Sequence, residues 1–161
     1  MDIKIKLLKN GIQSFDLTNG AGVRTSIWFA GCSHKCDGCF SPSSWNWYNG
    51  IDVSLSEVKN VISNDVEQYG IDGISILGGD PLYLKNLVGL KRLLLWFKLT
   101  YPQKTIWLWT GYTLEEIKEN DKLRFILDHI DVLIDGRFEK DKKNLDLCFR
   151  GSSNQRIIKL T

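Results

Sequence analysis

Residues 31–40 read GCSHKCDGCF and carry three of the four cysteines of the chain, at the spacing C-x3-C-x2-C. Three thiolates this close together can point into one small volume and hold one metal centre. A 4Fe–4S cluster usually takes four cysteine ligands, so a loop that supplies three would leave one iron free for chemistry. We therefore expect Cys32, Cys36 and Cys39 to bind a metal centre.

Two other uses of these cysteines are open at this point. A structural zinc site takes four ligands in a closed tetrahedron, and the fourth would have to be His34 or the distant Cys148. A disulfide is disfavoured, because we expect no signal peptide, and tightly clustered cysteines inside a cell indicate metal or redox chemistry. The same reasoning predicts a cytoplasmic protein. We expect Cys148 to be a small buried hydrophobic residue, as free cysteines usually are.

The composition is that of one globular domain, which we expect to span residues 1–161. A chain of 161 residues is long enough to bury about 70% of its unfolded surface. The net charge of +2 gives no electrostatic footprint for nucleic acid. No apolar run approaches the ~20 residues that cross a bilayer. We therefore expect neither nucleic acid nor a membrane among the partners.

Strand and helix signals alternate along the chain. Ser54 with Glu57 and Thr113 with Glu116 have the spacing of capping boxes, in which two side chains satisfy free N–H groups at a helix start. Gly11 and the pair Asn19-Gly20 are expected to mark turns. The patterns predict strands at residues 3–7, 25–29, 73–77, 105–109, 132–135 and 156–160, and helices at 55–69, 86–99, from 113 onward, and 121–129. Such alternation is typical of an α/β domain with a mostly parallel sheet.

Four polar segments directly follow predicted strands. They are the cysteine loop, Gly78-Gly79-Asp80, Thr110-Gly111 and Asp135-Gly136. Ligands of such sheets bind at the carboxyl ends of the strands, so we expect these segments to meet at one edge. Taken alone, the glycine pair could be only a tight turn, although glycines also let a backbone approach a ligand closely.

Together these motifs resemble the radical S-adenosylmethionine (SAM) enzymes. The cysteine spacing is theirs, and Gly78-Gly79-Asp80-Pro81 resembles their motif for the amino group of the methionine moiety. The branch with the closest resemblance is the anaerobic ribonucleoside-triphosphate reductase activating proteins, in which aspartate at position 80 is familiar. That resemblance also covers residues 19–25, 30–32, 109–112, 131–138 and 149–156. Two positions differ from common patterns: Asn19 stands where aspartate is usual, and Gly38 stands where many radical SAM enzymes place an aromatic residue against the adenine.

The resemblance implies a fold, a reaction and a set of binding residues. The fold would be a shortened, open partial (β/α) barrel of the radical SAM type. Its 4Fe–4S cluster would bind SAM, and one electron from reduced flavodoxin or ferredoxin would cleave it into methionine and a 5′-deoxyadenosyl radical. That radical would take a hydrogen atom from one glycine of the reductase large subunit. No acid–base catalytic residue is needed, and the implied SAM contacts are Gly78, Gly79, Asp80, Thr110 and Asp135.

Several assignments stay open on the sequence alone. Thr110 and Asp135 could instead cap the following helix or turn. Arg24, Arg137, Asn154 and Arg156 could meet the SAM carboxylate or the glycine loop of the partner, or form surface salt bridges. His34 is expected to face solvent or to lie beside the ligands without binding iron. The tract Trp45-Asn46-Trp47-Tyr48 could shield the cluster, dock a partner or pack in the core.

Other functions are also compatible with parts of the pattern. A small radical SAM enzyme of the 7-carboxy-7-deazaguanine synthase type would act on a free molecule, but such enzymes usually carry added segments that enclose it. Activases of pyruvate formate-lyase are typically longer, and their C-terminal region does not resemble residues 150–156. A non-enzymatic zinc- or cluster-binding module would make the glycine motif and the later strand-end motifs coincidences.

Overall fold

A seven-stranded sheet forms the centre of the protein in its computed structural model, which describes residues 2–161. The strands are β1 (Lys4–Asp16), β2 (Arg24–Phe29), β3 (Ile51–Ser54), β4 (Gly73–Gly78), β5 (Thr105–Trp109), β6 (Val132–Asp135) and β7 (Arg156–Lys159). The helices are α1 (Leu55–Tyr69), α2 (Leu87–Thr100) and α3 (Leu114–Glu119). Across the open sheet the strand order is β3-β1-β2-β4-β5-β6-β7.

The sheet is parallel only in its middle. The four strands β2, β4, β5 and β6 run in one direction, whereas β1, β3 and β7 pair antiparallel to their neighbours. The expectation of a mostly parallel sheet therefore needs correction at both edges. The loop from β1 to β2 is too short for the crossover of about a dozen residues that a parallel pair requires. The segment after β6 stays at the carboxyl edge, so β7 starts there and runs back.

All three helices pack on the same face of the sheet. The main hydrophobic core joins α1, α2 and α3 to every second residue of the central strands, such as Ile27, Ile76 and Leu108. Side chains alternate between the faces of a strand, so Trp28 and Trp109 point to the opposite face. No helix within residues 2–161 is both long and apolar enough to cross a membrane. The helix-free face is thus available as the wall of a site.

The helix starts predicted from capping residues are confirmed. The Ser54 hydroxyl accepts a hydrogen bond from the Glu57 N–H at 3.1 Å, but the reciprocal half of the predicted capping box, from the Ser54 N–H to the Glu57 side chain, does not form. Helix α1 is capped at its other end by Gly70, with a left-handed φ of 65°. At the start of α3, Thr113 and Glu116 form a complete capping box. These local signals are strong because each satisfies N–H groups that a helix start would otherwise leave without partners.

Three local features differ from the sequence-based expectations. Strand β1 runs through Gly11, which lies at an irregularity in the pairing with β2 rather than in a turn. A side chain there would lie 2.6 Å from the Leu8 carbonyl oxygen. Strand β3 was not predicted. The segment predicted as an α-helix at 121–129 instead forms a 3-10 helix at Arg124–Asp128. The three-residue period of a 3-10 helix places Ile126 on the same side as Leu123, the residue just before the helix, and both are buried in the core.

A buried arginine ties the amino ends of three strands together. The Arg24 guanidinium donates to the Ser75 hydroxyl at 2.9 Å and to the carbonyl oxygens of Ile74 at 2.9 Å and Thr105 at 2.7 Å. It also donates to the Ala21 carbonyl at 3.0 Å. Burial lowers the pKa of Arg24 to about 10, so it is still charged at neutral pH. The structure thus gives Arg24 a role inside the fold, at the end of the sheet opposite the cysteines.

Replacing Arg24 with methionine should destabilise the protein by about 3 kcal/mol, because several buried carbonyl groups would lose their donors. The free energy of unfolding should be measured by urea titration of the reduced, cluster-free protein. Arg92→Met is the matched control, since Arg92 is exposed on α2 and loses the same charge. A loss no larger than that of the control would contradict the structural role.

Candidate functional site

A cavity of about 400 Å³ opens where the carboxyl ends of the central strands meet the helix-free face. This volume lies within the range of small-molecule sites. Six of the predicted site residues line it together: Cys32, Cys36, Cys39, Gly78, Gly79 and Thr110. Asp80 and Asp135 do not line it.

Backbone hydrogen bonds fix where the cysteine loop begins. The Gly31 N–H donates to the Ser44 carbonyl at 2.8 Å, and the Cys32 N–H donates to the Trp45 carbonyl at 3.1 Å. Gly31 has a φ of 96°, a conformation that favours glycine. Cys32 is buried, whereas Cys36 and Cys39 are partly exposed. The loop therefore carries one thiol in the wall of the cavity and two nearer its mouth.

Each thiol has backbone N–H groups beside it. Burial raises the pKa of Cys32, and the N–H groups of His34 and Lys35 partly offset that effect. Burial likewise raises the pKa of Cys36, and the Phe138 N–H partly offsets this effect. The Ser41 N–H donates to the Cys39 sulfur at 3.4 Å. Such donors stabilise negative charge on sulfur, as the thiolate ligands of an iron–sulfur cluster require.

The donor set is compatible with an iron–sulfur cluster. Within residues 2–161, no group of three or more His, Cys, Asp and Glu side chains is arranged to hold one metal ion. A 4Fe–4S cluster has several irons, so its thiolates need not converge on one atom. Three soft sulfur donors around one cavity, each with N–H groups nearby, are therefore compatible with a cluster.

The Gly-Gly-Asp turn packs directly on the start of the cysteine loop. The Gly79 N–H donates to the Phe29 carbonyl at 2.9 Å, and the Asp80 N–H donates to the Gly31 carbonyl at 2.7 Å. A side chain at position 79 would lie 2.6 Å from the Gly31 oxygen and 2.8 Å from the Ser44 oxygen. Glycine is thus required here by the close approach of two backbones.

Asp80 connects the wall segments without lining the cavity. Its side chain is 1% exposed and accepts hydrogen bonds from the Leu82 N–H at 2.8 Å and the Gly111 N–H at 2.9 Å. It also accepts one from the Thr110 hydroxyl at 2.9 Å and one from His34 Nε2 at 2.6 Å. The expectation that His34 could face solvent is wrong, because its side chain is only 5% exposed.

Asp135 also has structural partners. Its carboxylate accepts a hydrogen bond from the Leu114 N–H at 2.8 Å, at the start of α3, and pairs with Arg156. Arg156 in turn pairs with Glu115 at 2.7 Å, and the hydrogen bond from Arg156 lowers the pKa of Glu115 to about 2. These contacts match the alternative in which Asp135 caps the following helix.

The remaining candidates lie outside the cavity wall. Arg137 pairs with Glu116 at 2.9 Å, and the Asn154 side-chain amide donates to the Arg137 carbonyl at 2.8 Å. Cys148 is exposed, so the prediction of a small buried residue is wrong there. It lies within the long segment between β6 and β7, whose neighbouring residues are largely exposed and offer no core for a thiol to enter.

The residues of the aromatic tract after the cysteines have different roles. Trp45 lines the cavity. The Trp47 indole N–H donates to the Asn86 side-chain oxygen at 3.0 Å, and Asn86 donates to the Ala30 carbonyl at 2.7 Å. Tyr48 is exposed and contacts Lys85. One tract therefore contributes a cavity wall, a brace behind the cysteine loop and a surface residue.

Several cavity residues were missed by the sequence analysis. The helix-free face contributes Trp28 and Trp109, and the segment before β7 contributes Phe149, Arg150 and Gln155. The Trp109 indole N–H donates to the Phe149 carbonyl at 2.8 Å. The period-2 pattern of β5 could have identified Trp109, since the core takes its neighbour Leu108. Arg150 lies in the stretch 149–156 that carries the family resemblance, but no pattern within that stretch assigns its side chain to the cavity.

Comparison with known proteins defines first the class and then the family. The family described as "4Fe-4S single cluster domain" matches residues 18–158, so the protein is of the single-cluster iron–sulfur class. Similar curated proteins carry the name anaerobic ribonucleoside-triphosphate reductase-activating protein. That of Enterobacteria phage T4 is 42% identical over 88% of this chain and 87% of its own length. Those of Pasteurella multocida and Escherichia coli K12 are 40% and 39% identical, over 91% and 87% of this chain and 93% and 90% of their own lengths. The chain belongs to the family of anaerobic ribonucleoside-triphosphate reductase-activating proteins.

Substituting Gly79 with alanine should disrupt the contact between the turn and the cysteine loop. Overpacking at this point should cost about 3 kcal/mol and reduce iron uptake, because the loop would be displaced. Gly70→Ala is the control: Gly70 has open space around it, and its φ of 65° leaves only about 1 kcal/mol of backbone strain to be expected from the substitution. Urea unfolding and iron analysis measure both. Equal effects of the two variants would contradict the packing argument.

Proposed function

We propose that this protein is a radical SAM activase that reductively cleaves SAM and leaves a glycyl radical on the large subunit of an anaerobic ribonucleoside-triphosphate reductase. The observation that carries the proposal is the meeting of three cysteines and the Gly78-Gly79 turn around one cavity. Relatives named as activating proteins of that reductase, similar over most of their length, support the choice of protein substrate.

We assign roles to the chain's own residues from their positions. Cys32, Cys36 and Cys39 would hold the cluster. When bound, a 4Fe–4S cluster with three protein ligands supplies an open iron for SAM and the electron that cleaves it. Gly78, Gly79 and Thr110 line the same cavity and would orient the methionine end of SAM.

The adenine needs an apolar platform, because Gly38 stands where an aromatic residue often lies in related enzymes. Trp28, Trp109 and Phe149 line the cavity and offer flat aromatic surfaces, which we propose as that platform. Arg150 is the charged residue of the wall and suits the SAM carboxylate. The contacts of Asp80 and Asp135 favour supporting roles, and their assignment as direct SAM contacts stays a prediction.

Hydrogen-atom abstraction needs no acid or base, so the chain's task is orientation and exclusion of water. We propose that the glycine loop of the reductase reaches the open mouth of the cavity and that reduced flavodoxin or ferredoxin donates the electron. The sheet would be a shortened, open partial (β/α) barrel of the radical SAM type, and residues 1–161 would act as one domain. Four free cysteines fit a reducing compartment, and we propose the cytoplasm.

The proposal is tested with anaerobically reconstituted protein, SAM, dithionite and the reductase large subunit. Electron paramagnetic resonance should show a reduced 4Fe–4S signal that changes when SAM is added. A glycyl-radical doublet should appear only when the large subunit is present, together with 5′-deoxyadenosine. Cys32→Ser, Cys36→Ser and Cys39→Ser should each reduce the doublet to background, because each removes a ligand, while the exposed Cys148→Ser should retain it.

The outcomes separate the competing functions. Cleavage of SAM without a glycyl radical would retain the radical SAM chemistry and refute the protein substrate, which would favour a small-molecule enzyme. Zinc in the cysteine loop and no cluster under any anaerobic condition would refute the proposal as a whole. Loss of the doublet in Cys148→Ser would mean that the ligand set is wrong.

A further inference from the structure

We propose that His34 is a positioning residue: its hydrogen bond to Asp80 anchors the cysteine loop and fixes the loop backbone that follows Cys32. The proposal rests on the proposed function in one respect, namely that Cys32 binds the cluster. It assigns no chemistry to the imidazole itself. The effect of His34 is transmitted through the loop backbone.

The His34 side chain is only 5% exposed and lies at the wall of the cavity. Its Nε2 lies 2.6 Å from Asp80 Oδ2, and a carboxylate can only accept, so the nitrogen donates. The Tyr112 ring packs edge-on against the imidazole at a centroid distance of 4.6 Å. A side chain at position 111 would lie 2.5 Å from His34 Cδ2, so Gly111 provides the space for the ring. The imidazole thus occupies a fitted site between the cysteine loop and the end of β5.

Asp80 is oriented without help from the histidine. The N–H groups of Leu82 and Gly111 and the Thr110 hydroxyl all donate to its carboxylate. These donors belong to the turn after β4 and to the end of β5, two parts of the rigid sheet edge. The carboxylate is therefore a fixed acceptor, and His34 is the residue of the cysteine loop that binds to it.

The loop needs such an anchor, because its backbone is strained next to the histidine. Lys35 has a φ of 51°, in the left-handed region that costs a non-glycine residue on the order of 1 kcal/mol. Its side chain is exposed. The neighbouring hydrogen bond from His34 to Asp80 can hold this conformation against relaxation.

The anchored backbone faces the buried thiol. His34 and Lys35 follow the buried Cys32 by two and three positions, and their N–H groups oppose the effect of burial on its pKa. Hydrogen bonds to ligand sulfurs are among the factors that set the potential of an iron–sulfur cluster, since they stabilise the more negative reduced state. If the anchor is lost, these N–H groups can turn away, and the reduction potential should fall.

Three variants test the anchor. His34→Leu removes the donor, His34→Gln keeps a side-chain N–H near the position of Nε2, and His129→Gln is the control. His129, the other histidine of the chain, bonds to the Phe125 carbonyl and lies away from the cysteine loop. In reconstituted protein, a redox titration followed by electron paramagnetic resonance should show a lower potential for His34→Leu. His34→Gln should restore the potential toward the wild-type value, and His129→Gln should leave it unchanged.

A second measurement uses the reduced protein without a cluster. The rate of alkylation of Cys32 by iodoacetamide, mapped by mass spectrometry, reports how often the loop opens. His34→Leu should increase this rate about tenfold, as expected when one buried hydrogen bond no longer opposes local opening. The exposed Cys148 is an internal reference in every sample, and its rate should not change.

Unchanged potential and unchanged Cys32 alkylation in His34→Leu would overturn the anchor while leaving the activase function intact. Equal behaviour of His34→Gln and His34→Leu would also overturn it, because ring packing against Tyr112 would then be the cause. If the wild-type protein takes up no cluster, the activase function fails, and the alkylation rates alone decide whether His34 anchors the loop.

Discussion

The close approach of two backbones, at the Gly78-Gly79-Asp80 turn and at the start of the cysteine loop, is the contact on which the site depends. The Asp80 N–H binds the Gly31 carbonyl, and no side chain fits at position 79. This contact joins the ends of β2 and β4, which are neighbouring parallel strands. Because the turn is part of the sheet edge, the rigidity of the sheet is passed to a loop that has no regular structure of its own. The contact thereby fixes where the cysteine loop begins relative to the sheet.

The site also depends on the sheet, because the helices cover only one of its two faces. Parallel strands are usually covered on both faces, yet here the face opposite α1, α2 and α3 carries Trp28, Trp109 and Ile134. These side chains would be poorly placed on a surface facing water. They are well placed as the wall of a cavity that receives a flat, partly apolar ligand, so the asymmetry of the fold and the composition of the cavity have the same explanation.

The sequence predicted best what is local. The cysteine spacing, the capping residues Ser54 and Thr113 and the central strands depend on neighbours within a few positions, and periodicity or spacing reveals them. The role of Asp80 could not be predicted, because its donors come from His34, Leu82, Thr110 and Gly111, which only the fold brings together. The antiparallel pairing of β7 and the exposure of Cys148 could not be predicted for the same reason, since both depend on where the long connection after β6 runs.

The distribution of charge inside the protein agrees with radical chemistry. Arg24, Asp80 and Asp135 are buried, but each is bound by structural donors or acceptors and none lines the cavity. The cavity wall consists of the three cysteines, glycines, aromatic rings and uncharged side chains such as Asn19, Thr110 and Gln155, together with His34 and Arg150. Such a wall can bind and orient a ligand but has no carboxylate to exchange protons with it. A reaction that moves a hydrogen atom needs this kind of enclosure, because a reactive radical would also attack water or an unprotected side chain. The buried ions therefore stabilise the frame and lie outside the cavity.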